Sequence, residues 1–185
     1  MKALVITAGH NSSGKTTLTK KLSDDLGISV VEGDDYRRFL RDTVSYFQNL
    51  DFTHPNPLAA IASELTHIHR ISTCRALLTN DQPVIHCSAM PTKEGRSELK
   101  KNLSADIDDV KVIFLYAKLD DATLLERLRE RDQNDPDAIG WEKHYVDIKR
   151  DMFEEPTEDE CDELLIYDQS NYEYVRDRLS HLMTL

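Results

Sequence analysis

Short apolar runs alternate along this chain with longer stretches in which apolar residues return every three or four positions, and the two periods predict different elements. The runs Ala3–Ile6, Ile28–Val31, Pro83–Cys87, Val110–Tyr116 and Leu164–Tyr167 read as buried strands. Between them lie helical patterns: one carrying Leu18, Leu22 and Leu26, one over about 36–49, and a long one from Leu58 through Ile61, Leu65 and Leu78 to about Asn80. Further helices are expected over 92–103 as a polar surface element, then over 121–131, about 139–153 and 171–182. Two stretches interrupt the pattern, the proline loop Asp51–Pro57 and the polar segment Asp132–Asp137. Strands without polar alternation, separated by helices, need a parallel sheet covered on both faces. The expectation is therefore a three-layer α/β unit with a five-stranded parallel sheet, a single domain over 1–185, whose ligands bind at the carboxyl ends of the strands.

The turn after the first strand carries the chemistry. Gly9-His-Asn11-Ser12-Ser13-Gly14-Lys15-Thr16 fits the phosphate-loop pattern G-x4-G-K-[ST] at every fixed position, between a strand and an amphipathic helix as that pattern requires. Small residues leave backbone N–H groups free to curl around phosphates, and the helix adds its positive dipole end. A nucleoside triphosphate is the expected ligand, with Lys15 on the β- and γ-phosphates, the Thr16 hydroxyl on Mg²⁺ and Thr17 as a second small residue at the helix start. The N/T-K-x-D guanine signature of GTP switches is absent from the sequence, which removes that class.

Two further constellations narrow the reading. Leu119 to Arg131 leads from a strand through acids into a helix bearing Arg127 and Arg131, four apart and so on one face, with Arg129 directed elsewhere. This segment resembles the beginning of the lid in nucleoside and nucleotide kinases, placing a small helical lid at about 127–140. Phosphoryl transfer needs cations around the transferred group more than covalent help, which suits such a pair. Asp34 and Asp35 follow the second strand, where a carboxylate could accept the proton of an attacking hydroxyl. Asn11 to Leu18 with the Asp-Asp-aromatic segment resembles the uridine kinase and nicotinamide riboside kinase group. Asp34-Asp35-Tyr36-Arg37 is also similar to the kinase domain of phage-type polynucleotide kinases. These resemblances imply Asp34 as general base, Arg37 as an acceptor or phosphate contact, and Asp35 as a contact to Mg²⁺ through water. Many relatives carry an acid just after the third strand, whereas this chain reads His86-Cys87-Ser88-Ala89, leaving Ser88, Asp34 or Asp35 to organise the metal. The turn Tyr167–Ser170 matches the place where the group holds adenine.

Composition changes the picture only at the margins. A net charge of −11 argues against a broad nucleic-acid surface, although seven of the acids fall between Glu154 and Glu163, a run that reads as a solvated linker. Cys74, Cys87 and Cys161 show neither metal nor disulfide spacing, no apolar run approaches a membrane span, and the first strand leaves no room for a signal peptide, so a cytoplasmic protein is expected. His67 and His69, two apart on a helix, face different directions and cannot share a metal. Trp141 and Tyr145 are expected to dock the helix after the lid. Tyr46, Phe47, Phe52 and His54 lie near the expected acceptor side, and Cys87 reads as packing. Together these features predict an ATP- and Mg²⁺-dependent kinase acting on a hydroxyl of a small acceptor, nucleoside-like. The alternatives are a polynucleotide 5′-hydroxyl kinase and an ATP-binding regulator with little transfer activity.

Overall fold

The computed structural model describes residues 2–48, 57–134 and 140–184. Five strands, β1 (Lys2–Ala8), β2 (Ser29–Glu32), β3 (Val84–Cys87), β4 (Val110–Ala117) and β5 (Glu163–Tyr167), form one parallel sheet in the order β2-β3-β1-β4-β5. The central strand is apolar on both sides because both sides are covered. Leu4 and Ile6 pack with Val31, Val112 and Phe114 beneath the helices α3 (Pro57–Thr79) and α4 (Lys93–Ser104). Val5, on the other face, packs with Ile85, Ile113 and Leu165 beneath α1 (Lys15–Leu26) and α8 (Tyr172–Thr184). Burying each such side chain contributes roughly 1.5–3 kcal/mol, so the sheet and its two helical layers form one mutually dependent core.

The strand order places every carboxyl end on one edge of the sheet, and the loops there build the site. Glu32 on β2 lies in register with Cys87 on β3, and Ala8 on β1 with Tyr116 on β4. α2 (Gly33–Thr43) begins immediately after β2 and is followed by a 3₁₀ turn over Ser45–Phe47, shorter than the helix expected over 36–49 and shifted toward the strand. Its first turn holds Asp34 and Asp35, whose charges complement the amino end of the helix dipole. After β4 comes α5 (Asp121–Asn134). The expected helix over 139–153 is α6 (Trp141–His144), a π-helical stretch (Tyr145–Lys149) and α7 (Arg150–Met152) in succession. Phe52, His54, the proline loop up to Asn56, and residues 135–139 of the expected lid lie outside the described residues. Among the described residues no helix is long and apolar enough to cross a membrane.

Most acids of the run Glu154–Glu163 are exposed, as its composition suggested, but Glu160 departs from that reading. Glu160, in a 3₁₀ turn over Glu158–Glu160 capped by Thr157, has a side chain only 4% exposed and pairs with Arg96, whose side chain is 0% exposed. Arg96 donates from Nε and Nη2 to the two carboxylate oxygens at 2.7 and 2.9 Å, and from Nη1 to the carbonyls of Met90 and Glu154 at 3.1 and 2.7 Å. α4 therefore has a buried cation on what looked like a polar surface helix. Each partner appears solvated when read locally, because its complement lies 64 residues away.

Candidate active site

The loop between β1 and α1 is built for an anion. Gly9 has φ 139°, and a Cβ there would stand 2.7 Å from the Ala117 carbonyl oxygen, so only glycine lets the chain turn this close to β4. The Gly9 amide donates to Ala89 O at 3.0 Å, tying the loop to the segment after β3. Thr7 Oγ1 reinforces that tie, donating to Ser88 O at 2.7 Å and accepting from Ser88 N at 2.9 Å. No side chain caps the amino end of α1, which leaves its first amides directed at the loop's interior. Lys15 Nζ donates to Gly9 O at 2.9 Å and His10 O at 2.5 Å, held inside the turn that its ammonium would share with phosphate oxygens. Burial lowers the Lys15 pKa to about 8, with Cys87, Glu32, Arg131 and Asp34 as smaller influences.

A cavity of about 660 Å³ opens from this loop toward α2 and α3. It brings together Asn11, Ser12, Gly14, Lys15, Thr16 and Thr17 with Asp34, Arg37, Arg127 and Arg131, residues the sequence reading selected from three separate segments. Thr16 Oγ1 donates to Glu32 Oε1 at 2.7 Å, and this carboxylate was not among the residues selected. The signal for it was present, since Glu32 is the last residue of β2 and strand carboxyl ends carry function in such sheets. Asp35 is not brought to the loop. It pairs with Arg38 at 2.5 Å and faces a separate surface groove with Tyr36, Phe39 and His69, because consecutive residues of a helix diverge by about 100°. Asp34, one position earlier, does line the cavity and receives Arg37 Nη1 at 3.0 Å.

Arg70 is the second cavity residue that sequence reading does not select, and unlike Glu32 it carries no local signal. It lies on α3 among polar positions, yet it reaches the cavity beside Gly33. A Cβ on Gly33 would meet Thr66 Cγ2 at 3.2 Å and Arg70 Nη1 at 3.4 Å, so the missing side chain is what lets α3 approach the start of α2. His69, its neighbour, stacks on Tyr36 with centroids 4.0 Å apart, in keeping with a packing role.

Arg127 reaches the loop from α5, its Nη1 donating to Ser12 O at 3.5 Å. Arg131 lies over the Trp141 ring at 4.2 Å from the centroid, while Arg129 turns outward to Glu142 at 2.7 Å, as the four-residue spacing required. Trp141 and Tyr145 do dock α6 and the π-helical stretch on α5: both amides at the start of α6 bond Asp132, the Tyr145 hydroxyl bonds Asp121 at 2.5 Å, and both rings pack with Leu124 and Leu128. They also line a second, mostly apolar cavity of about 150 Å³ with His10 and Phe153, adjoining the first at Asn11, Ala89, Pro91 and Trp141. His10 packs edge-on against Tyr145 at 5.0 Å and against Phe153 at 4.3 Å, and burial followed by Lys15 lowers its pKa below 6.5.

The groups at the carboxyl end of β3 are electrically quiet. His86 is fully buried and held neutral, its pKa pushed down to about 3 by burial and then by Arg70, and its Nδ1 shares a 3.0 Å hydrogen bond with Ser88 Oγ. Burial raises the Cys87 pKa, which disqualifies the thiol as a nucleophile and agrees with packing.

Residues 4–156 match the family described as AAA domain. A candidate kinase from Chloroflexus aurantiacus superposes with a TM-score of 0.71 over 97% of this chain and 97% of that one, at 19% identity. A gluconokinase from Sinorhizobium meliloti does so with a TM-score of 0.56, 14% identity and 98% and 95% of the two chains. A fungal RNA kinase gives 0.61, 13% identity, and 97% and 86%. At such identities the likeness is one of fold. No curated protein matches the sequence. The uncapped glycine turn after β1, the parallel sheet order and the family match over most of the length lead to one assignment: the chain belongs to the AAA domain family and has the α/β fold of phosphate-loop kinases.

Proposed function

We propose that this protein is an ATP-dependent kinase that moves the γ-phosphoryl group to a hydroxyl of a small, nucleoside-like acceptor. The observation that carries the reading is convergence: Lys15, Thr16, Asp34, Arg127 and Arg131 come from three distant segments and line one cavity. Lys15 and the loop amides hold the β- and γ-phosphates. Arg127 and Arg131 approach from α5 to stabilise the charge that builds on the transferred group. Asp34 accepts the proton of the attacking hydroxyl, with Arg37 orienting its carboxylate from 3.0 Å. The Thr16 hydroxyl and the Glu32 carboxylate, 2.7 Å apart, are hard oxygen donors that suit Mg²⁺, so Glu32 takes the metal role that sequence had given to Asp35. When bound, the ion neutralises charge on the phosphate oxygens.

The adjoining cavity supports a flat, ring-bearing acceptor, because Trp141, Tyr145, Phe153 and His10 offer aromatic surface with few competing polar groups. The Tyr167–Ser170 turn, where Asp168 Oδ1 accepts from Ser170 N at 3.0 Å, is proposed to frame the adenine by backbone. A polynucleotide 5′-hydroxyl kinase is the second reading, favoured by the Asp34–Arg37 pair.

Product detection by mass spectrometry tests the proposal: ATP·Mg²⁺ is incubated with nucleosides, nucleoside monophosphates, sugars, sugar acids and a 5′-hydroxyl oligonucleotide, beside an Asp34→Asn control. A small acceptor that gains one phosphoryl group is expected. Asp34→Asn should lose about 10²–10⁴ in turnover with unchanged ATP affinity. Near-normal kcat in that variant would remove Asp34 as base, and phosphorylation of the oligonucleotide alone would favour the second reading.

A further inference from the structure

Among the described residues Lys15, Arg37, Arg70, Arg127 and Arg131 line the main cavity, with Glu32 and Asp34 as its carboxylates. Arg127 reaches the phosphate loop that holds Lys15, whereas Arg70 lies beside Gly33 and Arg37 beside Asp34. Arg37 has Asp34 as partner at 3.0 Å. The Arg70 Nε is buried with no hydrogen-bond partner among the described residues. His86, close by, is neutral and offers no charge. Burial, and then Arg37, lower the Arg70 pKa, as expected where two guanidinium groups share too little negative charge. A buried donor without a partner is costly, and a forked guanidinium pair fits a planar or tetrahedral oxyanion.

We infer that Arg37 and Arg70 form an anion subsite for the acceptor, so that the molecule phosphorylated carries a phosphate, sulfate or carboxylate close to its reacting hydroxyl. The inference rests on the kinase reading above and sharpens it: a nucleoside-like acceptor would enter as its monophosphate rather than as the neutral nucleoside. α3 supplies the deciding residue, and Gly33 gives it access.

The test uses matched acceptors that differ only in the charged group: a nucleoside and its monophosphate, a sugar and its sugar acid. Product is expected from the anionic member of a pair and not from the neutral one. Arg70→Gln should raise KM for that acceptor by at least about thirtyfold while leaving the Kd for Mg²⁺ with a non-hydrolysable ATP analogue unchanged. Arg70→Lys, which keeps charge but not the fork, should fall between them. Equal use of neutral and anionic acceptors, or an unchanged KM in Arg70→Gln, overturns the subsite and leaves the kinase reading standing. No product from any pair counts against the kinase reading instead. The subsite is then decided by sulfate titration of protein saturated with the analogue: binding weakened in Arg70→Gln supports it, and binding absent or independent of Arg70 overturns it.

Discussion

Raising the pH should discharge Lys15 before nucleotide binds, and the protons taken up on binding can be counted. In the free protein burial sets the Lys15 pKa at about 8. The same side chain in an unfolded chain titrates near about 10.4. The sign follows directly: burial favours the neutral amine, so the folded state carries the full cost of the charged form below pH 8, on the order of 3 kcal/mol, and recovers it as pH rises from 8 toward 10.5. Phosphate oxygens reverse the preference by replacing the Gly9 and His10 carbonyls as partners, so the bound form holds a fully charged ammonium. Binding should then take up about 0.2 proton at pH 7.5, about 0.5 at pH 8 and about 0.9 at pH 9, and the apparent affinity should fall by about eightfold over that span. Burial and then Lys15 push the His10 pKa down and burial pushes the Cys87 pKa up, so both move away from this pH range. Calorimetric titration of nucleotide in buffers of different ionisation enthalpy measures the uptake, with Lys15→Met as control. Uptake near zero at pH 8, or an equal uptake in Lys15→Met, would refute the reasoning.

Glu32→Gln keeps the shape beside Thr16 but removes the charge, and should weaken Mg²⁺ dependence of turnover by about 10- to 100-fold; an unchanged Mg²⁺ titration would return the metal role to another acid. Glu160→Gln leaves the buried Arg96 without its counter-charge, at a cost of about 3–5 kcal/mol, so the thermal midpoint should drop by about 6–20 °C in calorimetry. Because Arg96 also bonds Met90 O, that variant should loosen the segment after β3, seen as faster amide exchange there. Arg127→Ala should lower kcat by about 10³-fold if the side chain meets the transferred group, and single-turnover kinetics with little change in nucleotide Kd would show it.

The periodicity of the chain determined the layers. Runs such as Ala3–Ile6 and Val110–Tyr116 have no polar face, so they could only be strands covered on both sides, and Gly9 to Thr16 fixed the phosphate loop because its function depends on local backbone and on residues in sequence order. Arg127 and Arg131 were likewise legible, since four-residue spacing on one helix decides which side chains share a face. The choice among the acids was not. Glu32, Asp34 and Asp35 are near neighbours in sequence, and only the junction of β2 with α2 sends Glu32 to Thr16, Asp34 into the cavity and Asp35 to another groove. Arg70 and the Arg96–Glu160 pair depended on contacts between segments tens of residues apart, where α3 closes on Gly33 and the acidic turn closes on α4. Local sequence specifies what repeats along one element or one turn, whereas the pairing of charges across elements follows from how closely the packed core lets them approach.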